Sequence, residues 1–301
     1  MELRHLRYFD AVASERNFTR AAEKIGVAQP PLSRQIRELE VELGAELFDR
    51  SIRPVRLTEA GRLLHDQCIR ILASIDQLGE SIRHLQGGSR GLFIVGVVGS
   101  IMQGAMPAMI RTFRTQMPEM EVELVELTTV QQVAALKDGR IDAGLGRVRI
   151  DDPSVRREIL YEEPLIAALP ANHPLAHDRG PVGLADLRHD MLILYPSRPR
   201  PSYADQLLGL FRDLGAVPEK AREVREVQTA LGLVASQAGI AVVPSSMRYV
   251  QRADVVYRPI ADANAHSPII LSQRIGDESK SAVLFREVGR AELNQNRSAE
   301  S

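Results

Sequence analysis

A run of apolar residues between positions 64 and 85 constrains this chain most. The residues alternate steps of four and three without a break, which is the spacing of the contact seam in a coiled coil. They are Leu64, Cys68, Ile71, Ile75, Leu78, Ile82 and Leu85. Because such a seam would stay in water unless a second copy covered it, the sequence predicts a homodimer joined by a linker helix over residues 59–89. Gly87-Gly88-Ser89 is expected to end that helix.

The residues before the linker predict a winged helix-turn-helix over 1–58. Apolar residues recur at helical spacing in three segments, and glycines follow the second and the third of them. The predicted helices cover 3–13, 19–25 and a stretch from Gln29 or Pro30 up to Gly44. Residues 47–57 suit two short strands around a turn, and Thr58 can cap the next helix.

The third helix of this head carries side chains expected to read DNA. In a helix-turn-helix the second helix of the motif enters the major groove, where glutamine suits adenine and arginine suits guanine. The formal net charge is −1, so the DNA-binding face depends on local placement of basic residues. The arginines of the wing are placed for phosphates, although for Arg53 and Arg56 a solvated surface role is an equal alternative. The predicted DNA-binding residues are Arg16, Arg20, Gln29, Pro30, Pro31, Ser33, Arg34, Arg37, Arg50, Arg53 and Arg56.

After residue 89 strands and helices alternate, which is typical of parallel β-α-β units and predicts an α/β domain with two similar lobes. The predicted strands are 92–98, 122–127, 141–145, 165–169, 191–195, 240–243 and 268–272. The predicted helices are 105–116, 130–137, 203–214, 229–237 and 281–293. The chain is expected to cross between the lobes near 161–164 and 265–268. Lobe I therefore comprises 90–161 and 268–301, and lobe II comprises 162–267.

Composition excludes several other classes of protein. Cys68 is the only cysteine, which rules out an internal disulfide framework and a multi-cysteine zinc or iron–sulfur site. We expect neither a metal nor another cofactor. The N-terminus lacks the apolar core of a signal peptide, and no stretch approaches the roughly 20 apolar residues of a transmembrane helix. A cytoplasmic location is therefore expected.

The head is similar, in motif order and spacing, to the N-terminal signature of LysR-type transcriptional regulators. The segments that carry the resemblance are Leu-Arg-His-Leu-Arg-Tyr-Phe, Asn-Phe-Thr-Arg-Ala-Ala-Glu, Ala-Gln-Pro-Pro-Leu-Ser-Arg-Gln-Ile-Arg-Glu-Leu-Glu and Leu-Thr-Glu-Ala-Gly. Asn172-His173-Pro174-Leu175 and Ala238-Gly239-Ile240 resemble features of the family's effector domain. The resemblance implies a periplasmic-binding-protein-like effector domain with two Rossmann-like subdomains. It also implies dimers that pair into tetramers on promoter DNA, with a contact to RNA polymerase.

Three segments of the C-terminal part resemble the branch of that family that controls catechol and benzoate catabolism. They are Thr-Thr-Val-Gln-Gln-Val from Thr128, Gly-Arg-Val-Arg-Ile-Asp-Asp-Pro from Gly146, and Leu-Tyr-Pro-Ser-Arg-Pro-Arg-Pro-Ser-Tyr-Ala-Asp from Leu194. Members of this branch respond to cis,cis-muconate, a flat six-carbon dicarboxylate, or to its chlorinated relatives. The resemblance implies an activator of aromatic-compound catabolic genes with such an effector.

Polar residues follow the predicted strands, where ligands of open α/β folds bind. Four turns that carry them, at Ser100, Thr128-Thr129, Ser202 and Gln228-Thr229, each precede a helix, whose N-terminus suits a carboxylate. Two turns belong to each lobe, so a dicarboxylate can bridge them, and Arg147 can add a charge-assisted bond. The alternative is plain N-caps, as the spacing of Ser202 and Asp205 indicates. With the resemblance, the predicted effector-binding residues are Ser100, Thr128, Thr129, Arg147, Pro201, Ser202 and Tyr203.

Two functions from other classes remain open on the residues alone. An enzyme would use the histidines near two aspartates, but the sequence has no nucleophile elbow, metal-binding helix motif or phosphate-binding glycine loop. These residues are His173, His177, His189, Asp178 and Asp190. A solute-binding protein would fit the two lobes, but not the DNA-binding head. Muconate and chloromuconate are not separable, because one pocket substituent changes affinity only modestly.

Overall fold

The structure is a computed structural model that describes residues 1–52, 54–86, 91–177 and 180–300. The chain divides into two units, Met1–Gly88 and Ser89–Ser301. None of the helices in the described ranges is both long enough and apolar enough to cross a bilayer.

The described part of the N-terminal unit has the predicted winged helix-turn-helix order. Its elements are α1 (Leu3–Glu15), α2 (Phe18–Ile25), α3 (Gln29–Leu43), β1 (Phe48–Asp49), β2 (Arg56–Leu57) and α4 (Glu59–Gln86). The Asn17 side chain accepts hydrogen bonds from the backbone amides of Thr19 and Arg20, at 2.9 and 3.2 Å, and so begins α2. Gly26 and Gly44 end α2 and α3 with φ angles of 71° and 65°, which glycine adopts without strain. The predicted helices and wing are confirmed.

Aromatic side chains from the helices and the wing form the centre of the head. The rings of Phe9 and Phe48 lie 5.3 Å apart between centroids, and those of Phe18 and Phe48 lie 5.6 Å apart. The predicted cap of α4 is also present, because the Gly61 amide donates to Thr58 Oγ1 at 3.0 Å. The wing and the start of α4 therefore belong to the same packed unit as the three helices.

The position of Cys68 contradicts one part of the predicted dimer seam. Its side chain is fully buried within a single chain, where Sγ donates to the backbone oxygen of Leu6 at 3.3 Å, and Leu64 packs against the same core. Burial, with the charge of Asp10, raises the pKa of the Cys68 thiol to about 12. Cys68 has no surface to offer a partner, so its assignment to dimerisation is wrong, because the first turns of α4 pack on the head.

The rest of the seam stays a prediction. Ile71 is 40% exposed and Ile75 is half-buried, so both retain surface for a second copy. The side chains of Leu78, Ile82 and Leu85 lie outside the described part of the chain, as does the expected break at residues 87–89.

The C-terminal unit alternates strands and helices along most of its length. In chain order its elements are β3 (Gly91–Val97), α5 (Met106–Gln116), β4 (Met120–Glu126), α6 (Thr129–Lys137), β5 (Ala143–Gly146), β6 (Val155–Pro170), β7 (Met191–Leu194), α7 (Tyr203–Asp213), β8 (Lys220–Glu223), α8 (Val227–Ala235), β9 (Ala241–Pro244), β10 (Val255–Pro259), β11 (His266–Arg274) and α9 (Lys280–Glu300). Short 3-10 turns at Gly99–Gln103 and Ser245–Tyr249 follow β3 and β9.

A seven-stranded mixed sheet joins the described strands of this unit in the order β10-β6-β11-β5-β3-β4, with β9 also paired to β6. β3 runs parallel to β4 and β5, whereas β11 runs antiparallel to β5 and β6. β7 and β8 pair in parallel as a separate two-stranded sheet. The predicted α/β class is confirmed.

Two long neighbouring strands carry the chain between the lobes. β6 pairs with β11 as far as Pro164, and from Leu165 onward it pairs with β9 and β10. The predicted lobe boundaries after residues 161 and 267 fall inside β6 and β11. The lobes are therefore joined by paired strands, and a change of their relative orientation must bend or twist this pair.

Each lobe has its own hydrophobic core. In lobe I the rings of Phe93, Phe113 and Phe285, from β3, α5 and α9, lie 5.0 to 5.3 Å apart between centroids. In lobe II, Leu192 from β7 and Phe211 from α7 are fully buried. The final helix thus packs in lobe I, so the chain returns to that lobe at its end.

Gly61 fixes how closely α4 approaches the wing. A Cβ at this position would lie 2.0 Å from the backbone oxygen of Leu47. We therefore expect Gly61→Ala to lower the free energy of unfolding by about 1–3 kcal/mol in urea unfolding followed by circular dichroism. The matched control is Gly209→Ala in α7, where a Cβ has no described atom within 4 Å. It should be neutral or stabilising by up to about 1 kcal/mol, and equal effects of the two changes would contradict the close contact.

Candidate DNA-binding face and ligand cleft

α3 has one buried face and one exposed face. Leu32 and Ile36 are fully buried in the core of the head. The prolines stand in the first turn, where an amide has no partner within the helix. The exposed positions of the predicted set on this helix are Gln29, Pro30, Pro31, Arg34 and Arg37, and Ser33 is half-buried. Nothing else of the described head covers these side chains, so a DNA groove can reach them.

Glutamates of the head neutralise part of its basic surface. Arg20 Nη2 lies 2.7 Å from Glu15 Oε2, and Lys24 Nζ lies 2.8 Å from Glu15 Oε1. The hydrogen bonds from Lys24 and Arg20 lower the pKa of the Glu15 carboxyl. Arg50 Nη2 lies 2.6 Å from Glu40 Oε2 and so ties the wing to α3. These pairs are not visible in the sequence, because no helical spacing joins their members.

Other arginines of the predicted face remain exposed. Arg34 Nε lies 3.6 Å from Glu38 Oε1, and with both side chains in water the pair is weak. Arg53 lies outside the described residues. The remaining exposed arginines of the set are Arg16, Arg37 and Arg56. The structure therefore leaves α3 as the richest source of accessible donors.

A cleft of about 1260 Å³ opens between the two lobes of the C-terminal unit. Its walls come from the turns after β3 and β5, the start of α6, residues 195–203 and the start of α8. All the predicted effector-binding residues line it: Ser100, Thr128, Thr129, Arg147, Pro201, Ser202 and Tyr203. Gln228 lines it as well. The fold thus brings these residues together although they lie up to 128 positions apart in the chain, from Ser100 to Gln228.

Thr128 and Ser202 cap helices and face the cleft at once. The backbone amide of Thr128 donates to Gln131 Oε1 at 2.9 Å at the start of α6. Asp205 Oδ2 accepts from the amide and the hydroxyl of Ser202, at 2.7 and 3.2 Å, at the start of α7. Each residue therefore caps a helix whose N-terminus lines the cleft, and its role in binding an effector stays a prediction.

Arg147 is the cation at the base of the cleft, and only 3% of its side chain is exposed. Its Nε donates to Ser100 Oγ at 2.9 Å, and its backbone amide donates to Thr129 Oγ1 at 3.2 Å. Its Nη2 donates to Glu163 Oε2 at 2.6 Å. Nη1 is buried and has no hydrogen-bond partner among the described residues. The guanidinium therefore has an unused donor.

Glu163 was missed by the sequence reasoning. It lies in β6 with 4% of its side chain exposed, and its Oε1 accepts from the Ser246 amide at 2.7 Å. A charged residue just before the apolar run 164–169 is the only signal the sequence offers. That signal does not indicate that Glu163 pairs with Arg147, because only the fold brings the two side chains together.

Tyr195 and Tyr203 form an aromatic wall of the cleft. Their ring centroids lie 5.2 Å apart, and the Tyr203 hydroxyl donates to the backbone oxygen of Val242 at 3.1 Å. Burial raises the pKa of both tyrosines well above the ordinary value, so both hydroxyls stay protonated. Tyr195 was not among the predicted residues, although it lies inside the motif that begins at Leu194.

The histidines considered for catalysis lie in surface loops. His173 Nε2 lies 3.2 Å from Asp190 Oδ1, and His189 Nδ1 lies 2.7 Å from Glu219 Oε1. Neither histidine lines the cleft, and Asp178 lies outside the described residues. Within the part of the chain that the structure describes, no three His, Cys, Asp or Glu side chains are grouped to hold a metal ion.

Two family models match this chain. The model described as "Bacterial regulatory helix-turn-helix protein, lysR family" matches residues 3–62, and the model described as "LysR substrate binding domain" matches residues 86–294. The chain belongs to the LysR family of bacterial transcriptional regulators. As a LysR-family regulator it combines a unit for promoter DNA with a unit for a small-molecule effector.

Individual LysR-family proteins are similar along most of the chain. A probable cat1 operon transcriptional activator from Acinetobacter lwoffii is 45% identical over 288 residues, covering 96% of this chain and 95% of that protein. Full-length CbnR complexed with its target DNA has a TM-score of 0.81 at 32% identity, covering 97% of this chain and 100% of that one. The BenM effector binding domain with its effector benzoate has a TM-score of 0.64 at 39% identity, covering 70% and 93%.

Proposed function

We propose that this protein activates genes for the breakdown of catechol and benzoate, and that its effector is cis,cis-muconate or a close relative. Nη1 of Arg147 carries this proposal, because it is a buried guanidinium nitrogen at the cleft that lacks a hydrogen-bond partner among the described residues. A buried donor left unpaired costs about 1–3 kcal/mol. A ligand carboxylate removes that cost and gains a charge-assisted bond.

The two lobes offer one place each for a carboxylate. In lobe I, Arg147 stands beside Ser100 and the start of α6, and in lobe II the start of α7 presents Ser202 and Tyr203. Positive helix ends suit anions. A flat six-carbon dicarboxylate has a carboxylate for each lobe, whereas benzoate has a carboxylate for only one.

The effector changes DNA binding through the oligomer that the chain forms. We propose dimers joined by α4, paired into tetramers, that hold promoter DNA with two or more heads and contact RNA polymerase. Bridging the cleft favours a closed conformation of the lobes, and closure changes the spacing of the heads. A ligand shifts this equilibrium only through its different affinity for the two states. Because the target is chromosomal DNA, the protein works in the cytoplasm.

Chloromuconate, other aromatic acids and catalysis are the alternatives to test. Calorimetric titration of the full-length protein with muconate, 2-chloromuconate, benzoate and adipate ranks the candidate effectors by affinity. The same mixtures, analysed for products after incubation, test for an enzyme. We expect binding of muconate without turnover, and turnover would reverse the assignment as a regulator without catalytic activity.

Ser202→Ala should weaken the binding of muconate by roughly 10- to 150-fold, since a hydrogen bond to a charged group contributes about 1.5–3 kcal/mol. Operator binding without ligand should not change. The matched control is Ser279→Ala, because Ser279 Oγ accepts from the Ala282 amide at 3.3 Å at the start of α9 and does not line the cleft. Calorimetry of both variants measures the effect, and an unchanged affinity in Ser202→Ala would remove Ser202 from the site.

A further inference from the structure

Glu163 contacts both lobes through one carboxylate. Its Oε2 accepts from Arg147 Nη2 of lobe I at 2.6 Å. Its Oε1 accepts from the Ser246 amide of lobe II at 2.7 Å and lies 3.4 Å from Ser245 Oγ of the same lobe. We propose that Glu163 is a positioning residue of the regulatory switch, which transmits the arrival of the ligand carboxylate at Arg147 to lobe II. This inference rests on the proposed function of the cleft.

The lobes touch closely beside this carboxylate. The 3-10 turn at Gly99–Gln103 of lobe I lies against the turn at Ser245–Tyr249 of lobe II. A Cβ added to Gly104 would lie only 3.3 Å from Ser246 Cβ. Ser100, the cleft residue that accepts from Arg147 Nε, belongs to the first turn. A small shift of the second turn therefore changes how the lobes fit together next to the ligand.

The ligand carboxylate weakens the attraction between the Arg147 guanidinium and the Glu163 carboxylate. Without ligand, the guanidinium charge faces the Glu163 carboxylate, and both side chains are almost fully buried. A second carboxylate on Nη1 shares that cation, and two anions on one guanidinium repel each other. Glu163 is then held more strongly by its donors in lobe II, the Ser246 amide and the Ser245 hydroxyl. Ligand binding therefore tightens lobe II against β6, one of the two strands that join the lobes. The ligand then has different affinities for the looser and the tighter conformation, which regulation requires.

The first test compares the coupling of ligand and DNA in the full-length wild type and in Glu163→Gln. Glutamine keeps the size of the side chain and an oxygen for the Ser246 amide, but removes the charge. DNA affinity is measured with and without saturating cis,cis-muconate, on a duplex that the wild type selects from a random library. We expect the ratio of the two affinities to fall toward 1 in the variant, from the roughly 5- to 150-fold range typical of allosteric coupling. Muconate should bind as tightly as before or more tightly. A merely structural Glu163 would lower the thermal midpoint and leave the ratio unchanged.

Ser245→Ala provides a second variant that keeps the Arg147–Glu163 pair. It removes the weaker of the two donors from lobe II, so the coupling ratio should fall about threefold, as expected for one hydrogen bond. The affinity for muconate should stay the same. If Glu163→Gln does not fold, the coupling ratio of Ser245→Ala tests the role of Glu163 in its place.

Amide hydrogen exchange at Ser246 reports on the proposed contact directly. Saturating muconate should slow this exchange about tenfold in the wild type and have little effect in Glu163→Gln. If muconate binds the wild type but the exchange stays the same and both variants keep full coupling, the role of Glu163 is overturned while the proposed function stands. If the wild type binds neither muconate nor 2-chloromuconate, the proposed function is overturned, and the role of Glu163 with it.

Discussion

Arg147→Leu should lower the free energy of unfolding by about 3–5 kcal/mol, because it leaves the Glu163 carboxylate buried without its cation. The two side chains are only 3% and 4% exposed, so water cannot replace the lost partner without opening the cleft. The Ser100 hydroxyl loses its donor in the same change. Urea unfolding of the full-length protein, followed by circular dichroism, measures the difference.

A double variant distinguishes the cost of a buried, unpaired charge from the cost of replacing the Arg147 side chain itself. Arg147→Leu with Glu163→Leu removes both charges, and replacing a whole buried pair by apolar residues is often neutral. We expect the double variant to regain most of the stability that the single variant loses. A single variant within about 1 kcal/mol of the wild type would show that the carboxylate is solvated, and would contradict the description of the cleft base.

Arg34→Ala should weaken the binding of operator DNA by about 1–3 kcal/mol, which is roughly a 5- to 150-fold change, and relax the sequence preference at one position. Arg34 is exposed in the first half of α3, and its pair with Glu38 is too weak to hold it away from a base edge. The affinity for muconate should stay the same, since Arg34 lies in the other unit. Fluorescence anisotropy on the selected duplex measures the effect.

Arg212→Ala is the matched control for this charge change, because Arg212 is exposed on lobe II. It should leave specific DNA binding unchanged. Equal losses of DNA and muconate binding in Arg34→Ala would indicate misfolding. Undiminished DNA binding at several salt concentrations would show that α3 does not read the groove.

Local patterns predicted the elements of the head well, because each signal acts within a few residues. Asn17 caps the helix that follows it, and Gly26 and Gly44 end helices where the spacing indicated. The dimer seam was wrong at Cys68 for a physical reason. A helical repeat shows which residues share a face, but not whether that face meets a second copy or the chain's own head.

In the C-terminal unit, strands without an apolar run were missed. β8, with the sequence Lys-Ala-Arg-Glu, is exposed throughout and forms only through its pairing with β7. The first ten residues of β6 are mostly charged or polar and are held by β11. Strand propensity and alternation of apolar residues detect strands with a buried face. These strands form instead by pairing with partners distant in sequence, which such patterns do not show.

The cleft residues also divide into those that local sequence patterns predict and those that they do not. Ser100, Thr128 and Ser202 were predictable, because the carboxyl ends of strands meet at one edge of an open sheet. Glu163 was not, because its partners Arg147 and Ser246 come from other elements of the fold, whereas Tyr195 packs on Tyr203 of the same motif. A buried carboxylate that joins two lobes leaves no periodic trace in one sequence.

The central claim is that a dicarboxylate in the cleft changes how the heads hold DNA. DNase footprinting of the full-length protein on its selected duplex, with and without a concentration of cis,cis-muconate that calorimetry shows to be saturating, tests this directly. We predict a ligand-dependent change in the extent or spacing of the protected segments. Identical footprints at full occupancy of the cleft would contradict the account.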